Sequence, residues 1–251
     1  ACDIWRGSVF GLSKGKYMVR VAVIDHDVRA AQSLRYLAFH GGDGCDVDPF
    51  DADCVQILIE NTATQTLVAC FRLLPLARGS DIGRSYSAQF YNLSALEGFQ
   101  GPMVEMGRFC VHPDHHDPDI LRVAWGAMTA YVDENHVEML FGCSSFQGTN
   151  AEDYLDAFTI LRQRHLAPRR WLPRVKAPQV FRFARLLRRT PDAKLAQLRM
   201  PPLLRTYLLM GGWVSDHAVV DSHMNTLHVF TGLEIAAIPE ARKRLLRAVA
   251  R

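Results

Sequence analysis

The run Glu105-Met-Gly107-Arg108-Phe109-Cys-Val111 limits what this chain can fold into more than any other stretch. Residues 103–111 read as a strand, yet a carboxylate and a guanidinium stand three residues apart near its start. In a regular strand such residues point to opposite faces, so Glu105 and Arg108 share a site only if the pleat is broken by a bulge. Gly107 lies between them, and a glycine inside a strand pattern marks such a bulge or a close backbone approach. The rival reading is a buried ion pair inside the sheet, which loses as much in desolvation as it gains in attraction.

The rest of the chain supplies a sheet for that strand. Residues 17–24 alternate Val19, Val21 and Val23 with Arg20 and Ala22, a strand pattern. Asp25 or Asp27 can cap a helix carrying Leu34, Leu37 and Ala38, which ends near Gly41-Gly42. Residues 55–60 and 67–74, joined by a turn at 61–65, predict a hairpin. Residues 79–100 are polar and irregular. Pro118 opens a helix through Asn135, followed by a strand at 137–146 and a helix at 153–165. A helix at 203–210 broken by Gly211-Gly212, a short strand at 226–230 and a basic terminal helix at 239–251 complete the order. This alternation predicts an α/β or α+β fold with a mixed sheet. No internal repeat or low-complexity segment interrupts it.

At 251 residues the chain can bury a sizeable core as one large domain. We expect a core over residues 1–165 and a basic helical extension over 166–251 completing the same domain. No run of 18 or more apolar residues occurs, so a spanning helix is not expected. Residues 1–15 lack a charged flank followed by an apolar core and do not read as a signal peptide. Cytoplasmic residence is the expectation. Six cysteines (Cys2, Cys45, Cys54, Cys70, Cys110, Cys143) show no CxxC spacing. Three of them, Cys70, Cys110 and Cys143, lie in apolar runs where a thiol behaves as a small hydrophobe, so a disulfide framework is not expected.

A net charge of +3 conceals a sharp segregation. Residues 43–60 hold six acids and no Lys or Arg, whereas residues 162–205 hold thirteen Lys or Arg and one acid, Asp192. Such a surface attracts a polyanion: nucleic acid, anionic lipid headgroups or an acidic protein. A merely solvated basic face is the plainer alternative. Aromatic residues are not interleaved with the basic run as single-strand binders require.

Isolated charges also recur upstream of Glu105. Arg35 and Phe39 stand one helical turn apart, Asp48-Pro-Phe-Asp51 follows on a loop, and Arg72 closes a strand-like run just before Pro75. In this order, with Glu105 and Arg108, they resemble the acyl-homoserine-lactone synthases and their relatives, the ornithine-lipid N-acyltransferases. Both are built on the GNAT-type fold, a mixed, mostly antiparallel sheet flanked by helices, and the element order here matches it apart from a single N-terminal helix where many members have two. Lactone synthases carry a tryptophan between the positions of Phe39 and Asp48, and this chain does not. Glu105-Met-Gly-Arg-Phe-Cys-Val-His-Pro113, the run from Leu140 to Thr149, Pro-Pro-Leu-Leu-Arg-Thr-Tyr at 201–207 and Asn225 to Thr231 look like the ornithine-lipid enzymes over nearly the full chain.

That resemblance implies a transferase moving a 3-hydroxyacyl group from acyl carrier protein to the α-amine of ornithine, giving lyso-ornithine lipid. Glu105 would be the catalytic base, with Arg108 beside it. Arg35, Arg72 or Arg108 would hold the amino-acid carboxylate, Phe39 would support the acceptor, and Asp48 or Asp51 would read the side-chain ammonium. Backbone N–H groups at Phe109 to Val111 would bind the donor's pantetheine, and Arg185, Arg188 and Arg189 would attract the acidic carrier protein, or anionic lipid at the inner membrane surface. GNAT enzymes that use coenzyme A hold its pyrophosphate on a glycine-bearing loop before a helix N-terminus. Here that stretch is His112-Pro-Asp-His-His-Asp-Pro-Asp119, with three acids and no glycine, which favours a carrier-protein thioester and implies no further cofactor.

The same loop contains His112-x4-Asp117, a pairing found in glycerolipid acyltransferases, but ten histidines and many aspartates make one chance match expected. A metal site at His112, His115, His116 and Asp117 lacks a distant fourth ligand, and no metal is expected. Asp216, His217, Asp221, His223 and His228 form a second polar cluster, either closing a site or lying on a surface loop. Ser215 lacks a nucleophile elbow. Glutamine as acceptor, lactone synthesis from S-adenosylmethionine, and a non-catalytic adaptor with a basic face stand as alternatives.

Overall fold

The structure, a computed structural model, describes residues 11–249. Cys2, most of the 1–15 stretch and the last two residues of the expected terminal helix lie outside that range. The elements run β1 (Leu12–Lys14), β2 (Tyr17–Val21), α1 (Asp25–His40), β3 (Val55–Asn61), β4 (Thr66–Leu76), β5 (Tyr91–Asn92), β6 (Met103–Val111), α2 (Pro118–Glu134) and β7 (Met139–Gln147). After these come α3 (Leu155–Arg164), β8 (Arg174–Val175), β9 (Val180–Phe181), α4 (Phe183–Leu186), α5 (Ala193–Arg199) and α6 (Pro202–Leu209). The chain closes with β10 (Trp213–Val214), β11 (Ala218–Asp221), β12 (Thr226–Glu234) and α7 (Glu240–Val249). It is a mixed α/β fold of mostly antiparallel ladders flanked by helices. Contacts group it into two compact units, residues 1–74 with 106–136 and 240–251, and residues 75–105 with 137–239.

In the first unit, β1 and β2 form a hairpin turning at Gly15, whose φ of +59° suits glycine. The sequence pattern gave no sign of β1, which is three residues long. β2 pairs with β3, and β3 with β4 in the expected hairpin. β2 stops at Val21, with a last bond from the Ala22 N–H to the carbonyl of Gln56; Val23 and Ile24 leave the ladder and are exposed. Helix α1 buries Ala31 and Leu34 against Leu58, Cys70 and Cys110, with Phe39 packed at the edge of that cluster. It ends where Gly41 takes a φ of +76°. Neither Asp25 nor Asp27 is its N-cap; Ile24 holds that position, and Asp27 accepts the N–H of Val23 while pairing with Arg20. Pro118 lies in the first turn of α2, as the pattern predicts, and Asp117 caps the helix.

In the second unit, Met103 to Glu105 pair in parallel with Met139 to Phe141. β7 then pairs antiparallel with β12 over nine residues. β12 runs on to Glu234, beyond the expected 226–230, because β7 and β10 give the extra residues partners. β11, which the sequence left unassigned, pairs with β12 and with β9. Gly232 is required here, since a Cβ would run into the ring of Trp213. Helices α3, α4 and α6 cover an aromatic core in which Phe158 stacks on Phe183 at 5.1 Å. Residues 79–100, expected to be irregular, form three short 3-10 turns and β5, and Ile82, Ser85, Ser87, Tyr91 and Leu96 are buried there.

Candidate active site

The expected break in β6 is present, one residue later than its glycine. Gly107 does not have a positive φ; Arg108 does, at +54°. A non-glycine residue there resists the backbone it adopts, at a cost of about 1 kcal/mol or more. Gly107 has room for a Cβ, whose nearest neighbour would be Arg72 Nε at 3.6 Å.

In the first unit, Arg108 joins a network of three arginines and three aspartates. Arg35, fully buried, grips Asp51 through two bonds of 2.7 and 2.8 Å and also donates to the backbone carbonyl of Asp46. Arg72 grips Asp48 through two bonds of 2.6 and 2.7 Å and reaches Asp51 at 2.7 Å. Arg108 donates to Asp48 at 3.0 Å. The Nε atoms of Arg35 and Arg108 stand 2.9 and 3.2 Å from Asp46 Oδ2, attracted by charge but out of hydrogen-bond line. Gln32 and Gln56 complete the shell of Asp51, and Asp48 accepts the N–H of Phe50 to start the 3-10 turn Pro49–Ala52. Burial alone would raise the Asp51 carboxyl. Hydrogen bonds from Arg35 and Gln32 and the neighbouring guanidinium charge outweigh it, so the group lies well below the usual carboxylate range. Asp48 is lowered likewise, Arg72 and then Arg108 overcoming its burial. Bidentate pairing of this kind is what makes Arg, rather than Lys, suit these positions.

Glu105, in the second unit, is held by a different chemistry. Its side chain is buried. Oε1 accepts the Ser87 N–H at 2.8 Å and the Ser87 hydroxyl at 2.5 Å; Oε2 accepts the Tyr86 N–H at 2.8 Å. The two amides open the 3-10 turn Ser87–Gln89, so the carboxylate occupies the position of a cap. Ser87 Oγ also lies 3.4 Å from Cys143 Sγ. Tyr207 is buried in the same unit, its hydroxyl pushed up by burial and by the Glu105 charge.

Of the C-terminal polar cluster, His217, Asp221 and His228 are buried, Asp216 is half-buried and His223 is exposed. Tyr91 donates to the carbonyl of His228 at 2.8 Å, with its oxygen 3.1 Å from His228 Nδ1. His217 Nδ1 lies 2.6 Å from Asp216. Burial holds the His228 imidazole down to about 4, so it is neutral at pH 7. Ser215 spends its hydroxyl on the carbonyl of His217 and the N–H of Phe230. Asp117 is a helix cap bound by Tyr17 and Lys16, while His112 accepts the N–H of Asp114. Phe109 packs near Phe71 at 6.1 Å, half-buried, as is Val111.

Among the basic residues, Arg188 donates to the carbonyls of Ala184 and Leu187, and Arg189 pairs with Asp156 at 3.1 Å. Arg185 is exposed. No helix of the described residues is long and apolar enough to cross a membrane. Sequence reasoning missed Ser87 and Tyr86, which sit in a stretch without periodicity 18 and 19 residues from Glu105. It counted Asp46 among the acids without assigning it a partner.

Residues 23–126 match the family described as acetyltransferase (GNAT) domain. An L-ornithine N(alpha)-acyltransferase of Rhodobacter capsulatus is 33% identical over 243 residues, covering 90% of this chain and 93% of that protein. One from Brucella abortus is 28% identical, covering 89% and 86%. Among solved structures, FeeM, an N-acyl amino acid synthase from uncultured soil microbes, superposes with a TM-score of 0.52 at 11% identity, covering 89% of this chain and 94% of that one. That likeness establishes the fold.

Proposed function

This chain belongs to the L-ornithine N(alpha)-acyltransferase family and is an acyltransferase with a GNAT fold, and we propose that it moves a 3-hydroxyacyl group from acyl carrier protein to the α-amine of ornithine, forming lyso-ornithine lipid. The observation that carries the reading is the buried Glu105 carboxylate, fixed by Tyr86 and Ser87 on the strand that bears the break. An amine attacks a thioester readily once it is neutral and aligned, so the enzyme must remove a proton, position the partners and stabilise the oxyanion. Glu105 takes one proton from the α-ammonium. The amine nitrogen then bonds to the thioester carbon, backbone N–H groups at Phe109 to Val111 receive the oxyanion, and the C–S bond breaks. As the tetrahedral intermediate collapses, the second amine proton passes to the departing pantetheine sulfur, which leaves as the thiol, and Glu105 returns its proton to water.

A carrier-protein donor is supported by the N-terminus of α2, where Asp117 and Asp119 already meet the positive end of the helix and would repel a pyrophosphate. Arg185 offers the acidic carrier protein, or anionic lipid, an outward positive charge. For the acceptor, Asp48 or Asp51 reads the second ammonium and Arg108 or Arg72 the carboxylate; the pairs these residues now make must be exchanged for pairs with substrate. Incubation with 3-hydroxyacyl carrier protein and ornithine, glutamine or S-adenosylmethionine in turn tests the proposal. Acylated ornithine is the expected product. Acylation of glutamine alone, or lactone formation, would replace it.

A further inference from the structure

We infer that Ser87 is the positioning residue of this transferase, setting the orientation and basicity of Glu105 through two bonds to one oxygen; the inference rests on Glu105 being the base. The hydroxyl–carboxylate distance of 2.5 Å is that of a charge-assisted bond. A carboxylate oxygen only accepts, so the Ser87 proton points to Glu105, and in the 3.4 Å contact beyond it the Cys143 thiol is the donor. A directed chain thus runs from Cys143 to Ser87 to Glu105.

The segment that presents Ser87 has supports of its own. Ser85 donates to Ile82 O and accepts from Ala88 N–H, Lys176 donates to Ala88 O, and the Tyr86 ring packs on Phe90 at 5.3 Å. Glu105 is therefore held by a loop that is itself fixed, which is the arrangement a preorganised base requires. Ser87 is fully buried, so water does not compete for its hydroxyl.

Loss of one charge-assisted donor destabilises the anionic form of a carboxylate. In Ser87→Ala the acid limb of the kcat/KM profile should move up by about one pH unit. At neutral pH, kcat should fall roughly tenfold to hundredfold, with KM for donor and acceptor nearly unchanged. Ser87→Thr, which keeps the hydroxyl, should restore both. Should Ser87→Ala fail to fold, Ser87→Cys, with a weaker donor of similar size, should move the limb in the same direction. A limb that stays in place in the folded Ala or Cys variant, or a Thr variant as impaired as Ala, overturns the inference. Glu105→Gln separates the two levels: wild-type rate there removes Glu105 as base, whereas a lost acid limb there with an unmoved limb in Ser87→Ala removes only the role of Ser87.

Discussion

Two charged regions of this molecule are built on opposite plans. Around Arg35, three guanidinium groups and three carboxylates neutralise one another in a network closed by charge. At Glu105, backbone N–H groups and a serine hydroxyl hold a carboxylate with dipoles. Opposite charge makes a strong but committed contact, because either partner left alone in a buried place is expensive. Dipoles stabilise a charge without cancelling it, and a carboxylate so held keeps its capacity for proton transfer. The first plan suits a framework that yields only to a molecule bringing charges of its own, the second a reactive group.

Glu105→Gln breaks the second plan and should have the largest effect. We expect acyl transfer to slow by roughly 10²–10⁴-fold, the usual weight of a general base. A glutamine presents one acceptor oxygen and one donor nitrogen, so it cannot receive both the Ser87 and the Tyr86 bonds. Stability should also fall, by about 1–3 kcal/mol in urea unfolding. A slow but fully stable variant would mean that the Tyr86 amide is satisfied otherwise.

Arg35→Met breaks the first plan. It takes the bidentate partner from Asp51 and leaves Asp46 only Arg108 and Asp51 only Arg72, Gln32 and Gln56, and should lower stability by about 2–4 kcal/mol. Denaturant midpoints of the variant and of an Asp51→Asn, Arg35→Met pair measure it; if the double variant is no more stable than the single, the charges were not coupled.

The pH dependence of stability sharpens the comparison. Asp27, held down first by its bond from Arg20, and Asp48 and Asp51 all lie below their ordinary value when folded. Their contribution is complete above about pH 4 and is lost as the pH falls further. His228 of the second unit behaves differently. Burial lowers it to about 4 from an ordinary value near 6.5, so the unfolded chain binds its proton first. Stability should therefore decline already between about pH 6.5 and 4, by on the order of 3 kcal/mol. His228→Phe should flatten that interval and leave the steeper loss below pH 4; calorimetric midpoints across the range would show whether the two windows separate.

The smallest effect concerns the basic surface. Arg185→Glu should change stability by less than about 0.5 kcal/mol, as at other exposed positions. It should raise the KM for acylated carrier protein in a salt-dependent way. Arg188 and Arg189 make a less clean test, since both also bond to their own unit. Unaltered affinity for carrier protein and for anionic vesicles would make the patch a solvated face.

Legibility in the sequence followed the range of the interaction. β6 could be read over Met103–Val111, and α2 from Pro118, because alternation, period and cap chemistry are local. β1, β5 and β11 could not, being short and defined by their partners. The charges of the network were visible as a count, but its pairs join residues 16, 24 and 60 apart, and no spacing rule announces them. Ser87 offered no signal at all: one serine in an aperiodic stretch gains its role only when Glu105 arrives beside it.

Helix α7 packs on α2, with Arg247 bound to Asp133 and Lys14 donating to the carbonyl of Ala248. Residue 14 is thus tied to residue 248 within one unit, and everything up to Pro239 has to be synthesised before that unit can close. Until then the face of α2 on which α7 packs stays uncovered. A stop codon near residue 239 should accordingly unsettle α2 and the first hairpin, far upstream of the cut.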